Sequence, residues 1–223
     1  MTLKNGLKLL TAISIVSSLA GCDSSVSDEL ENALTHEAEM SFINTLDYSV
    51  DFHVQKRTLT AGSSGLFDSK NLAAGNVLSN TATDDFDYDY PAITNAVNIG
   101  IHSTNGAENE IKIHTNLSND DELWVIAWQN GNEKRLTLLD SIEKDNDSTF
   151  NVRIFANGIY PVTIKGNQVM TTQMGTVSDF LTLDNCASDL RVNNHTINLC
   201  SGDFGESYLL VVDQNGEYVL VEE

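Results

Sequence analysis

From Met40 onward, apolar and polar side chains alternate in short runs. Val50, Phe52 and Val54 fall on one face with Asp51 and His53 on the other. Val97-Ile99-Ile101, Ile111-Ile113, Val162-Ile164 and Tyr218-Leu220 repeat the pattern. Alternation with period two puts successive side chains on opposite faces of a strand, so each run predicts a half-buried β-strand. Two runs are apolar throughout, Trp124-Val125-Ile126-Ala127-Trp128 and Tyr208-Leu209-Leu210-Val211-Val212. They are too short for helices and predict central strands covered on both faces.

Each apolar run is followed by Asn-Gly, at Asn130-Gly131 and Asn215-Gly216. Asn-Gly readily takes the two positive φ angles of a type I′ turn, which predicts a hairpin at each place. Asn193-Asn194 lies between two further short strands, Asp189 to Val192 and His195 to Leu199. A hairpin turning there sets Cys186 opposite Cys200, at a spacing that a disulfide tolerates. Two thiols in an exported chain are expected to oxidise, and the bond would close a 15-residue loop, a constraint of ~3 kcal/mol.

The pattern also repeats along the chain. Gln129-Asn130-Gly131 answers Gln214-Asn215-Gly216. Met40-Ser41-Phe42-Ile43 and Tyr48 to Phe52 keep the spacing of Val152-Arg153-Ile154-Phe155 and Tyr160 to Ile164. Two copies are the simplest account, at about 38–146 and 147–223, with a linker in 143–148 and an acidic insertion near Asp84 to Asp89 in the first. Many short strands, frequent turn signals and two prolines predict an all-β protein of two tandem antiparallel sandwiches, with one larger two-sheet domain as the alternative.

Each copy opens with a strand and then a second, Val50-Asp51-Phe52 or Val162-Thr163-Ile164. The second copy continues with Gly175-Thr176-Val177-Ser178-Asp179-Phe180-Leu181-Thr182-Leu183, answered in the first by Gly75-Asn76-Val77-Leu78-Ser79. With the closing strand, Asn-Gly turn and strand, this order resembles the bacterial domain of unknown function 4397, found in tandem in secreted and lipid-anchored proteins. The resemblance implies immunoglobulin-like β-sandwiches and brings no established activity or catalytic residues.

The N-terminus changes the setting. Lys4 and Lys8 precede an apolar run from Leu9 to Val16 and then small residues, the layout of a secretory signal. The run is shorter than the ~20 residues needed to span a bilayer. Leu19-Ala20-Gly21-Cys22 resembles a bacterial lipobox, which implies cleavage before Cys22 and a diacylglycerol on its thiol. Residues 22–37 then form a lipidated acidic tether to the envelope domain. The protein would sit on the periplasmic face of the inner or outer membrane, or on the cell surface. Asp23 resembles the inner-membrane retention signal of enterobacterial lipoproteins.

The formal charge of −20 becomes −22 once residues 1–21, with two lysines and no acids, are removed. So acidic a surface repels phosphate backbones, which excludes nucleic acid as the expected partner. An envelope protein or a glycan is the expected partner instead, with the membrane reached through the acyl chains.

Candidate chemistry is sparse. In Asp84-Asp85-Phe86-Asp87-Tyr88-Asp89-Tyr90 an extended backbone puts Asp85, Asp87 and Asp89 on one face, hard oxygen ligands of the kind that bind Ca²⁺. The EF-hand Gly and distal Glu are missing, and a solvated, aggregation-resistant edge is the competing account. Trp124 and Trp128 share a face, either a stacking platform for a sugar ring or packing between sheets. His36-Glu37-Ala38-Glu39-Met40 departs from the zinc-protease motif at its last position, and the five histidines are scattered. No Gly-x-Ser-x-Gly elbow or phosphate loop occurs. The expectation is a non-enzymatic binding or structural module. The alternative is a calcium-dependent adhesion or polysaccharide-binding module; a hydrolase has less support.

Overall fold

The computed structural model describes residues 35–58, 62–104, 110–187, 189–216 and 218–223; Cys22 and the segment leading to Leu34 lie outside them. The first half consists of β1 (Thr35–Asn44), β2 (Val50–Lys56), β3 (Leu72–Val77), β4 (Thr81–Ala82), β5 (Phe86–Pro91), β6 (Ala96–Ser103), β7 (Ile111–Asn116), β8 (Asp121–Asn130) and β9 (Glu133–Asp140). One sheet runs β4-β1-β8-β9, with β5 continuing along β1 beyond β4; its companion runs β3-β2-β6-β7. The second half consists of β10 (Phe150–Ala156), β11 (Pro161–Ile164), β12 (Asn167–Thr171), β13 (Leu181–Leu183), β14 (Leu190–Val192), β15 (His195–Thr196), β16 (Ser207–Val212) and β17 (Tyr218–Glu222). Its sheets run β13-β10-β16-β17 and β12-β11-β14-β15. The strand order of the first half is repeated, and the architecture is all-β, two immunoglobulin-like sandwiches in tandem.

Among the described residues, the pairing between strands is antiparallel except once in each half. The opening strand lies parallel to the next-to-last, β1 with β8 and β10 with β16. This closes each sandwich by returning the chain beside its own start. β8 and β16 are therefore interior strands, which is why their runs carry no polar face.

Alternation along these strands builds three apolar layers. Met40, Phe42, Val125 and Ala127 face Phe52, Ile99 and Ile101 inside the first sandwich. Val152, Ile154, Leu210 and Val212 face Val162, Leu190 and Val192 inside the second. The other face of the same two central sheets makes the third layer, where Ile43, Trp124, Ile126 and Trp128 meet Phe155, Leu209, Val211 and Val219. Four sheets thus stack in series, and the two halves share a buried seam. The hydrogen bond from Asn157 Nδ2 to the Gln129 carbonyl, 3.0 Å, crosses it.

The seam is matched residue by residue. Ile43 pairs with Ala82 and Ile126, as Phe155 pairs with Val177 and Val211. By the same registers Trp124 corresponds to Leu209. Each half therefore offers the same patch to the other, as in an isologous interface. The registers also re-place one motif. The segment that answers Gly175-Thr176-Val177 is Asn80-Thr81-Ala82, with Asn80 and Gly175 at φ 55° and 70°, whereas Gly75 lies within β3.

Turn chemistry departs from expectation in detail. Asn130 pairs with Glu133, so the loop is Gly131-Asn132, and only Gly131 has positive φ, +58°. That is the pattern of a type II′ turn, whose first central position demands glycine. After β16 the chain turns from Asp213, whose carboxylate accepts the Asn215 N–H at 2.8 Å, and Gly216 takes φ +78°. The type I′ pair of positive angles occurs at Asn193-Asn194 (φ 50° and 68°) and at Lys165-Gly166 (51° and 76°). Beyond the first of these, Cys186 and Cys200 are joined, Cα atoms 4.8 Å apart.

Candidate functional site

The residues with most chemistry lie where the first half's central sheet emerges from the seam. β5 runs antiparallel to β1 from Thr35↔Pro91 to Met40↔Phe86, so strand begins at Thr35, three residues inside the expected tether. This pairing sets Asp87 beside Glu39 and Asp89 beside Glu37. On the far side of β1, Glu39 is level with Glu122 of β8. Three carboxylates, Asp87, Glu39 and Glu122, thus stand side by side across three strands on the face that, further along, carries Ile43 and Ile126. Like charges in adjacent cross-strand positions repel. Burial, then the charges of Asp85, Glu122, Asp87 and Glu37, push the Glu39 carboxyl above its ordinary range.

One step toward the seam, Ser41 Oγ donates to Asp85 Oδ1 at 2.6 Å, and Ser41 is level with Trp124. Here a cleft of about 370 Å³ opens between the halves. Glu39, Asp85, Glu122 and Trp124 line it from the first half, Glu222 and Glu223 from the second, and among the described residues no lysine or arginine lines it. Glu223 is neutralised by Arg153 of β10. The Arg153 Nε donates to Glu223 Oε1 at 2.7 Å, its Nη2 also bonds the Asp140 carbonyl at 2.8 Å, and Ile142 N–H donates to Glu223 Oε2 at 3.1 Å. Both charged side chains are buried, 5% and 0% exposed. They fasten the strand leaving the first half to the sheet of the second.

Asp87 and Asp89 share the exposed face of β5, with Phe86 and Tyr88 half-buried and Tyr90 buried on the other. Asp85 is engaged by Ser41. Among the described residues no three His, Cys, Asp or Glu side chains converge in a way that could hold a metal ion. The calcium expectation therefore finds a row of carboxylates rather than a cage, because a strand spaces its ligands along a line.

Trp124 and Trp128 do share a face, and that face is packing surface. Trp128 is 2% exposed. It donates from Nε1 to Thr137 Oγ1 at 2.9 Å and meets Phe155 edge-on, ring centroids 5.7 Å apart. Gly175, at φ +70°, lies so close that a Cβ there would come 2.7 Å from Trp128 Cζ2. A sugar ring has no access to it. Trp124 is 7% exposed and differs in one respect: its indole N–H has no hydrogen-bond partner.

Among the described residues the histidines join no group that could hold a metal ion. His53 is buried against Phe67, ring centroids 5.4 Å apart, and burial lowers its pKa. Cys22, the expected lipidation site, lies outside the described residues. The cleft itself was not legible in the sequence, since it joins Glu39, Glu122 and Glu222 from strands far apart in the chain. The one signal available was that Glu39 and Glu122 flank apolar runs that later prove to be adjacent strands.

No family model matches the chain, and no curated protein matches it either.

Proposed function

We propose that this chain is an envelope lipoprotein, anchored through Cys22, whose folded part is a non-enzymatic binding module. It presents the carboxylate row of its first half to a partner at the membrane surface. One observation carries the reading. The seam fixes the two halves against each other, yet leaves Asp87, Glu39 and Glu122 at its margin, with no lysine or arginine among the described residues lining the cleft beside them. Such a concentration of like charge costs stability, and a complementary surface would offset that cost on binding. The lipobox-like Leu19-Ala20-Gly21-Cys22 and the acid-rich segment after it support tethering within a few nanometres of the bilayer.

The test is crosslinking in intact cells, with recovery of the protein under denaturing conditions. A discrete protein adduct on the wild-type chain, together with release of a Cys22→Ser variant from the membrane fraction, is the expected result. Recovery of the protein alone would make it a free-standing structural element, and membrane retention of Cys22→Ser would overturn the anchor.

A further inference from the structure

The two halves treat one surface in opposite ways. The registers that match Ile43 to Phe155 also match Glu39 to Asn151, Glu122 to Ser207 and Asp87 to Thr182. In the second half this row is neutral and covered. Thr182 Oγ1 donates to Asn151 Oδ1 at 3.0 Å, and Asn151 Nδ2 donates to the Lys144 carbonyl at 2.7 Å. Ser207 Oγ accepts the Lys144 N–H at 3.0 Å and donates to Asp145 Oδ1 at 2.7 Å. The covering group is an extended stretch of backbone, the linker at Lys144-Asp145, held across two strands by side chains. A turn at 147–149, closed by Thr149 N–H to the Asn146 carbonyl at 2.9 Å, brings it there.

In the first half the chain does not fold back. β1 continues straight through Thr35, paired to β5, and among the described residues no linker covers the corresponding row, whose Asp87 and Glu122 are exposed. Its side chains are carboxylates, so what lies there must bring positive charge. The stretch between Cys22 and β1 does not: residues 23–34 contain Asp23, Asp28, Glu29 and Glu31 and no lysine or arginine. The cleft beside the row adds a second feature that the covered half lacks. Where the second half has Leu209, the first has Trp124, which lines the cleft, is 7% exposed, and has a buried indole N–H without a hydrogen-bond partner. A donor beside a row of acceptors suits a ligand that has both cations and carbonyl oxygens.

We propose that the open row of the first half seats an extended basic segment of a partner protein, laid across β1 and β8 as the linker is laid across β10 and β16. Its lysine or arginine side chains meet Glu39, Glu122 and Asp87, and one of its backbone carbonyls accepts the Trp124 N–H. This rests on the binding-module reading and names the chemistry of the partner.

The test uses the full chain in detergent and an end-blocked octapeptide of alternating lysine and threonine, followed by anisotropy of a label on the peptide and by tryptophan emission. Saturable one-to-one binding is expected, with a change in emission. The double variant Glu39→Gln/Glu122→Gln should weaken it about tenfold or more, and Trp124→Phe should weaken it while keeping the ring. Asp47→Asn/Glu110→Gln removes the same charge from exposed positions away from the row, and should leave the affinity within about twofold.

Equal loss in the two double variants would reduce the effect to overall charge and overturn the seat. Spermine competing as well as the peptide would replace a protein segment by a small polyamine. Absence of saturation overturns the proposal outright. Melting curves show whether each variant is folded, and removing a repelling carboxylate at Glu39 favours folding. In cells, a protein adduct that persists in Glu39→Gln/Glu122→Gln would overturn this seat but keep the binding module. A wild-type chain that captures nothing would overturn the module itself.

Discussion

The two halves are the same scaffold used twice, and they differ where they meet water. Ile43 and Phe155, Ile126 and Val211, and Trp124 and Leu209 occupy matching positions and are all buried in the seam. A few ångströms along the same strands, Asp87-Glu39-Glu122 in one half answers Thr182-Asn151-Ser207 in the other. Next to them Ser41, bonded to Asp85, answers Arg153, whose guanidinium lies 5.4 Å from the centroid of Phe180. Burial holds the apolar positions to one chemistry, because a polar group there would lose its water. The margin is free of that constraint, so one half spends it on internal hydrogen bonds and the other leaves it charged and open.

The largest effect should come from breaking the match at its centre. Trp128→Ala empties the space its indole fills against Phe155 and Gly175, and should cost ~3–5 kcal/mol in chemical denaturation. If the seam couples the halves, the wild-type chain should unfold in a single transition that splits in this variant. A wild-type chain that already unfolds in two steps would show the halves to be independent in spite of their shared layer.

The second contrast is at Ser41 and Arg153. Arg153→Leu leaves the Glu223 carboxylate buried with the Ile142 N–H as its donor, and should cost ~3 kcal/mol, since removing one partner strands a charge. Adding Glu223→Gln to it should recover part of that loss. Ser41→Ala, at the matching position, loses one partly buried hydrogen bond and should cost ~1 kcal/mol. Below these comes the bridge that only the second half has. Cys186 and Cys200 are 14 positions apart, and replacing both by serine should cost ~2 kcal/mol. That is the low end of the usual range, because the Asn193-Asn194 turn already favours the closed loop in the unfolded chain.

These effects follow from a fold that was largely legible along the chain. Period-two runs gave the strands from Val50, Val97, Ile111 and Val162, and the unbroken apolar runs gave β8 and β16 as interior strands. What alternation does not reveal is which layer covers a face. Trp124 and Trp128 read first as packing between sheets, with a ligand platform as the alternative, and their cover turned out to be the matching face of the other half. Asn130-Gly131 marked a hairpin but not its phase, since the register of Asn130 with Glu133 shifts the loop by one residue. Thr35 to Glu37 read as tether because their partner, β5, is itself acidic and lies about fifty positions away in the chain. Arg153 with Glu223 and Glu39 with Glu122 are pairings of sequence-distant strands, which composition and spacing along a single chain do not encode.

The smallest stability effect is the one most specific to the open row. Glu39 is raised above the ordinary carboxyl range near 4.5, first by burial and then by Asp85, Glu122, Asp87 and Glu37. A carboxyl that holds its proton more tightly when folded stabilises the fold while it is protonated, and that contribution is lost as pH rises through its raised pKa. At neutral pH the ionised group is therefore a burden, and Glu39→Gln should raise the melting temperature there. The gain should shrink as pH falls toward 4.5 and vanish below it, where the native Glu39 is neutral too. The matching change in the second half, Asn151→Asp, should do the reverse, lowering stability at neutral pH by breaking the bond to Lys144 and placing a charge where the linker lies. A Glu39→Gln gain that did not vary with pH would assign the effect to packing rather than to repulsion, and would remove the electrostatic reason for the row to seek a basic partner.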